Sequence, residues 1–304
     1  MKNLLCYCFL KTNIFRLVLA KIQFLLLFLF SVSIAAQNLI HHSTSWFGPN
    51  ANPVPEFTDA TIPSETHFRA AGDYYFGHGD QTISSNLQFE FLLIKQKVSV
   101  KTWAVVFEHY QVTDQLKEKR KMMNNSGTAT GDLYVQTRVS LLKEKKSQPA
   151  VILNATLKTA SGSGFRDRRF FNTAGYYFDI EAGKSWLLEE SFIKEFRAVG
   201  NAGFFSWDVQ TPGLNVQDDA PMYGVKFILK TSDLDWENAL SGYNGWIHRG
   251  EDYGNKPMVF ASKLSLQSGN TEYFIQFQKG IRDFPYDQIR LGLDMSLASL
   301  TPKF

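Results

Sequence analysis

The side chains able to do chemistry are scattered along the chain. Of six histidines, His41 and His42 are adjacent and point in different directions, while His67, His78, His109 and His248 stand at no metal-ligand spacing. No HExxH, Walker, GxSxG or paired CxxC pattern occurs, and the only cysteines are Cys6 and Cys8 near the amino terminus. The GSGF at 162–165 lacks the Lys-Ser/Thr ending and following helix of a phosphate loop, so it reads as a turn. No catalytic residue, metal site or cofactor is expected. What the sequence does hold is grouped charge. Lys117, Lys119, Arg120 and Lys121 form one basic cluster, and Arg166, Arg168 and Arg169 another. Arginine forks pair bidentately with phosphate, although Glu118 and Asp167 dilute both groups.

Those charges are positioned by strands. Beyond residue 66 no helical stripe is evident, and short segments alternate polar with apolar residues at period two. In 86–93, Leu87, Phe89, Phe91 and Leu93 oppose Asn86, Gln88 and Glu90. The pattern recurs in 132–141 and 151–158. It is as clean in 288–297, where Ile289, Leu291, Leu293, Met295 and Leu297 oppose Gln288, Arg290, Gly292, Asp294 and Ser296. Weaker copies lie at 67–77, 98–111, 175–184, 192–207, 222–231, 236–247, 258–267 and 271–281, giving about twelve strands. The polar parity is densely ionic. It carries Arg69, Asp73, Glu90, Arg138, Lys158, Asp179, Arg197, Arg290 and Asp294, together with Glu108, Glu181, Lys226, Lys263 and Glu272.

With 44% hydrophobic and 14% aromatic residues, the 304-residue chain is too apolar to be disordered. An apolar run at 23–36 follows a basic stretch ending in Lys21, with Ser33 and Ala35 as small residues for cleavage, so residues 1–36 are expected to be an export signal. Those 36 residues hold four basic residues and no acidic one. Without them the basic count falls from 32 to 28 against 29 acidic, a net of about −1, which removes any argument for nucleic acid. Residues 37–66 contain prolines at 49, 53, 55 and 63 and the aromatics Trp46, Phe47 and Phe57. They read as an extended strip, either a periplasmic leader or a plug folded into the domain at 67–304.

Connectors alternate in length. Longer polar links are expected after the first, third, fifth, seventh, ninth and eleventh strands, as at 112–131, 162–173, 208–221 and 248–257. Short ones such as Lys95-Gln96-Lys97 follow the even strands. An up-and-down antiparallel barrel has this asymmetry when it crosses an outer membrane. Aromatics near strand ends, Tyr74, Tyr75, Phe76, Tyr110, Tyr176, Tyr177, Trp186, Trp207, Trp236 and Trp246, are expected to form interfacial girdles.

With its signal-like start, alternating strands and amphipathic last strand ending near Phe304, the chain resembles Gram-negative outer-membrane β-barrels. Its segment WFGPNANPVP at 46–55 resembles an opening found in uncharacterised Bacteroidota outer-membrane proteins. One departure is Pro302, which breaks strand pairing before Phe304. The resemblance implies an outer-membrane location, and the first reading of function is a passive channel or transporter for small polar solutes. Its implied partners are outer-membrane lipid, lipopolysaccharide and the barrel-assembly machinery. The nine charges from Arg69 to Asp294 would then line a lumen, and Lys119, Arg120, Lys121, Arg166, Arg168 and Arg169 would face lipopolysaccharide phosphates or rim a pore. Two other readings stay open: a non-conducting surface barrel, and a lipid-modifying hydrolase built on His109, read as lipid-facing after Trp103, Val105 and Phe107.

Overall fold

A computed structural model describes residues 46–188, 192–209, 218–245 and 255–302. The export signal at 1–36 lies outside the described residues, as do His41, His42, Trp246, His248 and Phe304.

Among the described residues, thirteen strands form one antiparallel sheet. They are β1 (His67–Gly77), β2 (Asp80–Ile94), β3 (Val98–Val112), β4 (Ser126–Ala129), β5 (Tyr134–Leu142), β6 (Ala150–Lys158) and β7 (Ala174–Leu187), then β8 (Glu195–Val209), β9 (Asp218–Lys230), β10 (Leu234–Tyr243), β11 (Met258–Ser268), β12 (Thr271–Arg282) and β13 (Asp287–Ser296). With β4 set aside, each pairs with its sequence neighbour, and β13 returns to β1 in a register that sets Arg69 opposite Asp294 and Asp73 opposite Arg290. Twelve strands thereby close a barrel with no free edge. The four-residue β4 lies outside that count. It pairs with the end of β3, while β5 pairs with its start, so β4 and β5 occupy one side of β3 in succession.

Apolar side chains face outward: Leu291 is 59% exposed, and Phe178, Ile180, Phe227, Tyr273 and Ile275 are exposed too. The opposite parity is buried and polar, including Asp73, Glu90, Arg138, Lys158, Asp179 and Arg197. Burying the ionic face and exposing the apolar one inverts a soluble sandwich and fits a lipid solvent.

Four of the expected long links join β3–β5, β6–β7, β8–β9 and β10–β11, and the short ones sit at the other end. Two expectations fail. The first link is the two-residue turn His78-Gly79, both at positive φ, because Gly79 and the adjoining Gly77 tolerate the left-handed backbone of a tight hairpin. β2 therefore starts six residues earlier than its alternation suggests. The link from β12 to β13 is also short, spanning Asp283–Tyr286.

On β3 the register shifts so that Ser85 and Asn86 of β2 face Phe107 and Val105. This bulge at Val106 reverses the parity. Phe107 and His109 face out, but Trp103 and Val105 line the interior, against the sequence reading. The girdle needs correction as well. Tyr74, Trp186 and Trp236 are exposed, whereas Tyr75, Tyr110, Tyr177 and Trp207 are inside, each below 5% exposure.

The β3–β4 link begins with helix α1 (Asp114–Arg120). Thr113 caps it by accepting from the Leu116 amide, Asp114 sits in the first turn, and Lys121 ends it at φ 53°. Leu116 anchors the helix on Tyr110, Val112 and Met122.

Candidate functional site: the barrel lumen

Alternation on strands that curve round a closed circle aims every second side chain at a common axis. Residues 46–66 run along that axis as a strap. At the long-link end, the Gly48 amide donates to the Arg168 carbonyl (2.7 Å), and Asn50 Nδ2 donates to Glu108 (2.7 Å). Farther in, Asn52 Nδ2 donates to the Tyr243 hydroxyl (3.0 Å), the Thr58 amide to Glu181 (2.9 Å), and Arg290 Nη1 pairs with Glu56 (2.6 Å). Lys226 and Arg197 donate to the carbonyls of Phe57 (2.7 Å) and Asp59 (2.8 Å). At the short-turn end Ser296 bonds Glu65, and the Leu297 amide donates to the Thr66 carbonyl (2.7 Å). Partners on strands all round the barrel place the strap inside it.

The two halves of the lumen differ. Toward the long links, Phe47, Ala51 and Val54 pack with Tyr75, Phe171, Tyr177, Phe205, Trp207, Tyr243 and Tyr286 in an apolar core. Toward the short turns the contacts are ionic. Arg138 binds Glu90 (2.6 Å) and donates to the Thr61 carbonyl (2.8 Å), Arg197 binds Glu144 (2.6 Å), and Lys263 bridges Glu237 (2.8 Å) and Glu272 (3.2 Å). Arg69 and His67 share Asp294. Between strap and wall lies a cavity of about 410 Å³, lined by Glu56, Lys101, Trp103, Tyr134, Lys226 and Glu237 among others.

Of the nine charges read on the polar parity, Asp73, Glu90, Arg138, Lys158, Asp179 and Arg197 are buried, and most of the nine are bound to one another or to the strap. Arg290 and Arg69 line the cavity. Asp73 is held by Gln288 and Arg290, Lys158 pairs with Asp132 (3.0 Å), and Asp179 accepts from Asn154 (2.8 Å) and Asn201 (2.7 Å). The residues missed by sequence reasoning are Lys101 and Trp103, because the bulge that turns Trp103 inward leaves no mark in a period-two pattern.

The basic clusters divide. Lys119, Lys121 and Arg166 are exposed. Arg120, Arg168 and Arg169 are buried, which corrects their reading as a phosphate-facing surface. Arg169 binds Glu108 (2.6 Å) and Asp80 (2.9 Å), Arg120 binds the same Asp80 (3.1 Å) and donates to the Tyr286 hydroxyl (2.6 Å), and Arg168 Nε donates to the Arg120 carbonyl (3.0 Å). Carboxylates hold Arg120 and Arg169, and a backbone carbonyl holds Arg168. Asp167 accepts from the amides of Met123 (3.0 Å) and Asn124 (2.8 Å) and from the Asn124 side chain (3.0 Å), tying two long links together. Partial burial pushes its carboxyl up, but these hydrogen bonds prevail and hold it below its usual value.

No protein-family model matches the sequence, and neither does any curated protein. Among solved structures, the NanC porin aligns over 76% of this chain and 100% of its own at 10% identity, with a TM-score of 0.53. An outer-membrane channel from Pseudomonas putida F1 aligns over 81% of this chain and 100% of its own, at 11% identity and a TM-score of 0.53. The chain has the closed antiparallel barrel fold of bacterial outer-membrane channels.

Proposed function

We propose that the protein is a bacterial outer-membrane channel for small polar solutes, throttled by its own amino-terminal strap. The observation that carries this reading is the charged 410 Å³ cavity left between strap and wall, inside a barrel whose outer face is apolar. A barrel of about eight strands is filled by side chains and one of sixteen leaves an aqueous channel, so twelve strands leave room that a strap can reduce without removing. The strap belongs to no strand of the wall, so it can shift within the lumen while the sheet stays closed. Exposed Lys119, Lys121 and Arg166 at the long-link end would meet lipopolysaccharide phosphates, and the mature chain would reach the membrane through the barrel-assembly machinery.

The test is ion conductance of the refolded full chain in planar bilayers, beside Glu56→Gln, which removes the strap's ion pair with Arg290. Small currents that rise in the variant support the reading; silence in both overturns it. A closed barrel is the second reading, favoured by the apolar packing round Phe47. The hydrolase reading has little behind it, since the residues paired with His109 are Ile83 and Thr128, and neither is a serine.

A further inference from the structure

The lumen matches almost every charge with an opposite one, and an exception lies on the cavity wall. Lys101 of β3 is 8% exposed and lines the cavity, and among the described residues its ammonium has no hydrogen-bond or ion-pair partner. Its cross-strand neighbour Glu90 is already engaged by Arg138 and by the Ser99 hydroxyl (2.6 Å each). The neighbour on the other side, Gln136, is uncharged and donates to Thr156. What Lys101 does meet is the Trp103 ring, 5.0 Å from its centroid. Trp103 is in turn stacked on Tyr134, with centroids 4.9 Å apart and planes 12° from parallel. Both rings line the same cavity.

A buried ammonium with no counter-ion is costly, and one beside open volume is a seat for an anion. The flat shelf of Trp103 and Tyr134 next to it selects a ligand with a ring face. Four other cations on the lining, Arg69, Arg290, Lys226 and Lys263, are already paired with carboxylates, so Lys101 offers a match for one negative charge and none of these four offers one for a second. We propose that the cavity binds a small organic monocarboxylate bearing a planar ring, its carboxylate accepting from Lys101 Nζ and its ring lying along Trp103 and Tyr134. This names a solute class for the channel and rests on that reading for its meaning, but binding is measured without conduction.

The probe is benzoate, titrated calorimetrically into the refolded full chain in detergent, with benzyl alcohol as a ring without charge and acetate as charge without ring. Heat-modifiable gel migration checks folding. Wild type is expected to bind benzoate with a dissociation constant below about 1 mM and Lys101→Gln at least about tenfold more weakly, as loss of a charge-assisted hydrogen bond predicts. Benzyl alcohol binding is expected to be equal in the two proteins, and acetate weaker than benzoate. Trp103→Leu, with Lys101 intact, should also lose benzoate, and Lys101→Arg should keep it. Absence of benzoate binding in wild type, or equal binding in folded Lys101→Gln, overturns the proposal. If Lys101→Gln does not fold, retention by Trp103→Leu or loss by Lys101→Arg overturns it instead. Benzoate binding in a barrel that never conducts would sink the channel reading and leave the site standing; conduction without binding would do the reverse.

Discussion

The guanidinium of Arg169 lies flat against the α-carbon of Gly48: a Cβ on Gly48 would sit 2.5 Å from the arginine Cζ. Arg169 has little room to retreat, because it also binds Glu108, Asp80 and the Thr82 hydroxyl (2.7 Å). Gly48→Ala is therefore expected to destabilise the barrel by about 1–3 kcal/mol, the usual range for overpacking. Urea unfolding followed by tryptophan fluorescence measures it, and the strap-throttled reading adds a rise in conductance.

Arg138 ties wall to strap through Glu90, Thr58 and the Thr61 carbonyl. Arg138→Met leaves Glu90 buried without its cation, which costs about 3–5 kcal/mol. Arg138→Lys should recover only part of this, since one ammonium cannot reproduce the fork to both strap and wall. Midpoints of heat-modifiable migration compare the three proteins.

Leu291 stands mid-strand on the outer face, between Gly72 of β1 and Ile275 of β12. Leu291→Arg is expected to cost about 2–4 kcal/mol in lipid, and Gln267→Arg near a short turn less than about 1 kcal/mol. Folding yields into vesicles read this difference, and equal yields would contradict a lipid-facing Leu291.

The Asp167 carboxyl is held below its usual value of 3.8. A folded-state value lower than the unfolded one stabilises the charged form, so its contribution is present above about pH 4 and is lost as pH falls through the folded value. Hydrogen exchange at the Met123 and Asn124 amides should thus be protected at pH 6 and, corrected for intrinsic rates, accelerate as pH falls below 3.8 through the folded value. Asp167→Asn should abolish most of the difference.

The alternation of Leu87 to Leu93 and of Ile289 to Leu297 was legible because each strand face meets a different solvent, and period two records that directly. Closure of twelve strands follows from many such segments with short links. The start of β2 was not legible: Asp80, Thr82 and Ser84 are polar and buried, but the turn before them is only two residues long. The fate of the basic clusters was hidden for another reason. Arg120 meets Tyr286 across 166 positions and Arg169 meets Asp80 across 89, and no local pattern encodes which carboxylate waits across a lumen. Trp103 was misplaced by one extra residue at Val106.

The strap that fills the lumen precedes the first strand of the wall, and the wall's seam is β1 against β13, its first and last strands. A thread with Phe47 packed at one end and Thr66 bonded at the other is hard to draw through a finished cylinder. A sheet that curls round the strap, as staves are raised round a former, with the seam closing last, would avoid that passage. Assembly would then be ordered by chain position, with residues 46–66 the mandrel on which β13 is fastened to β1.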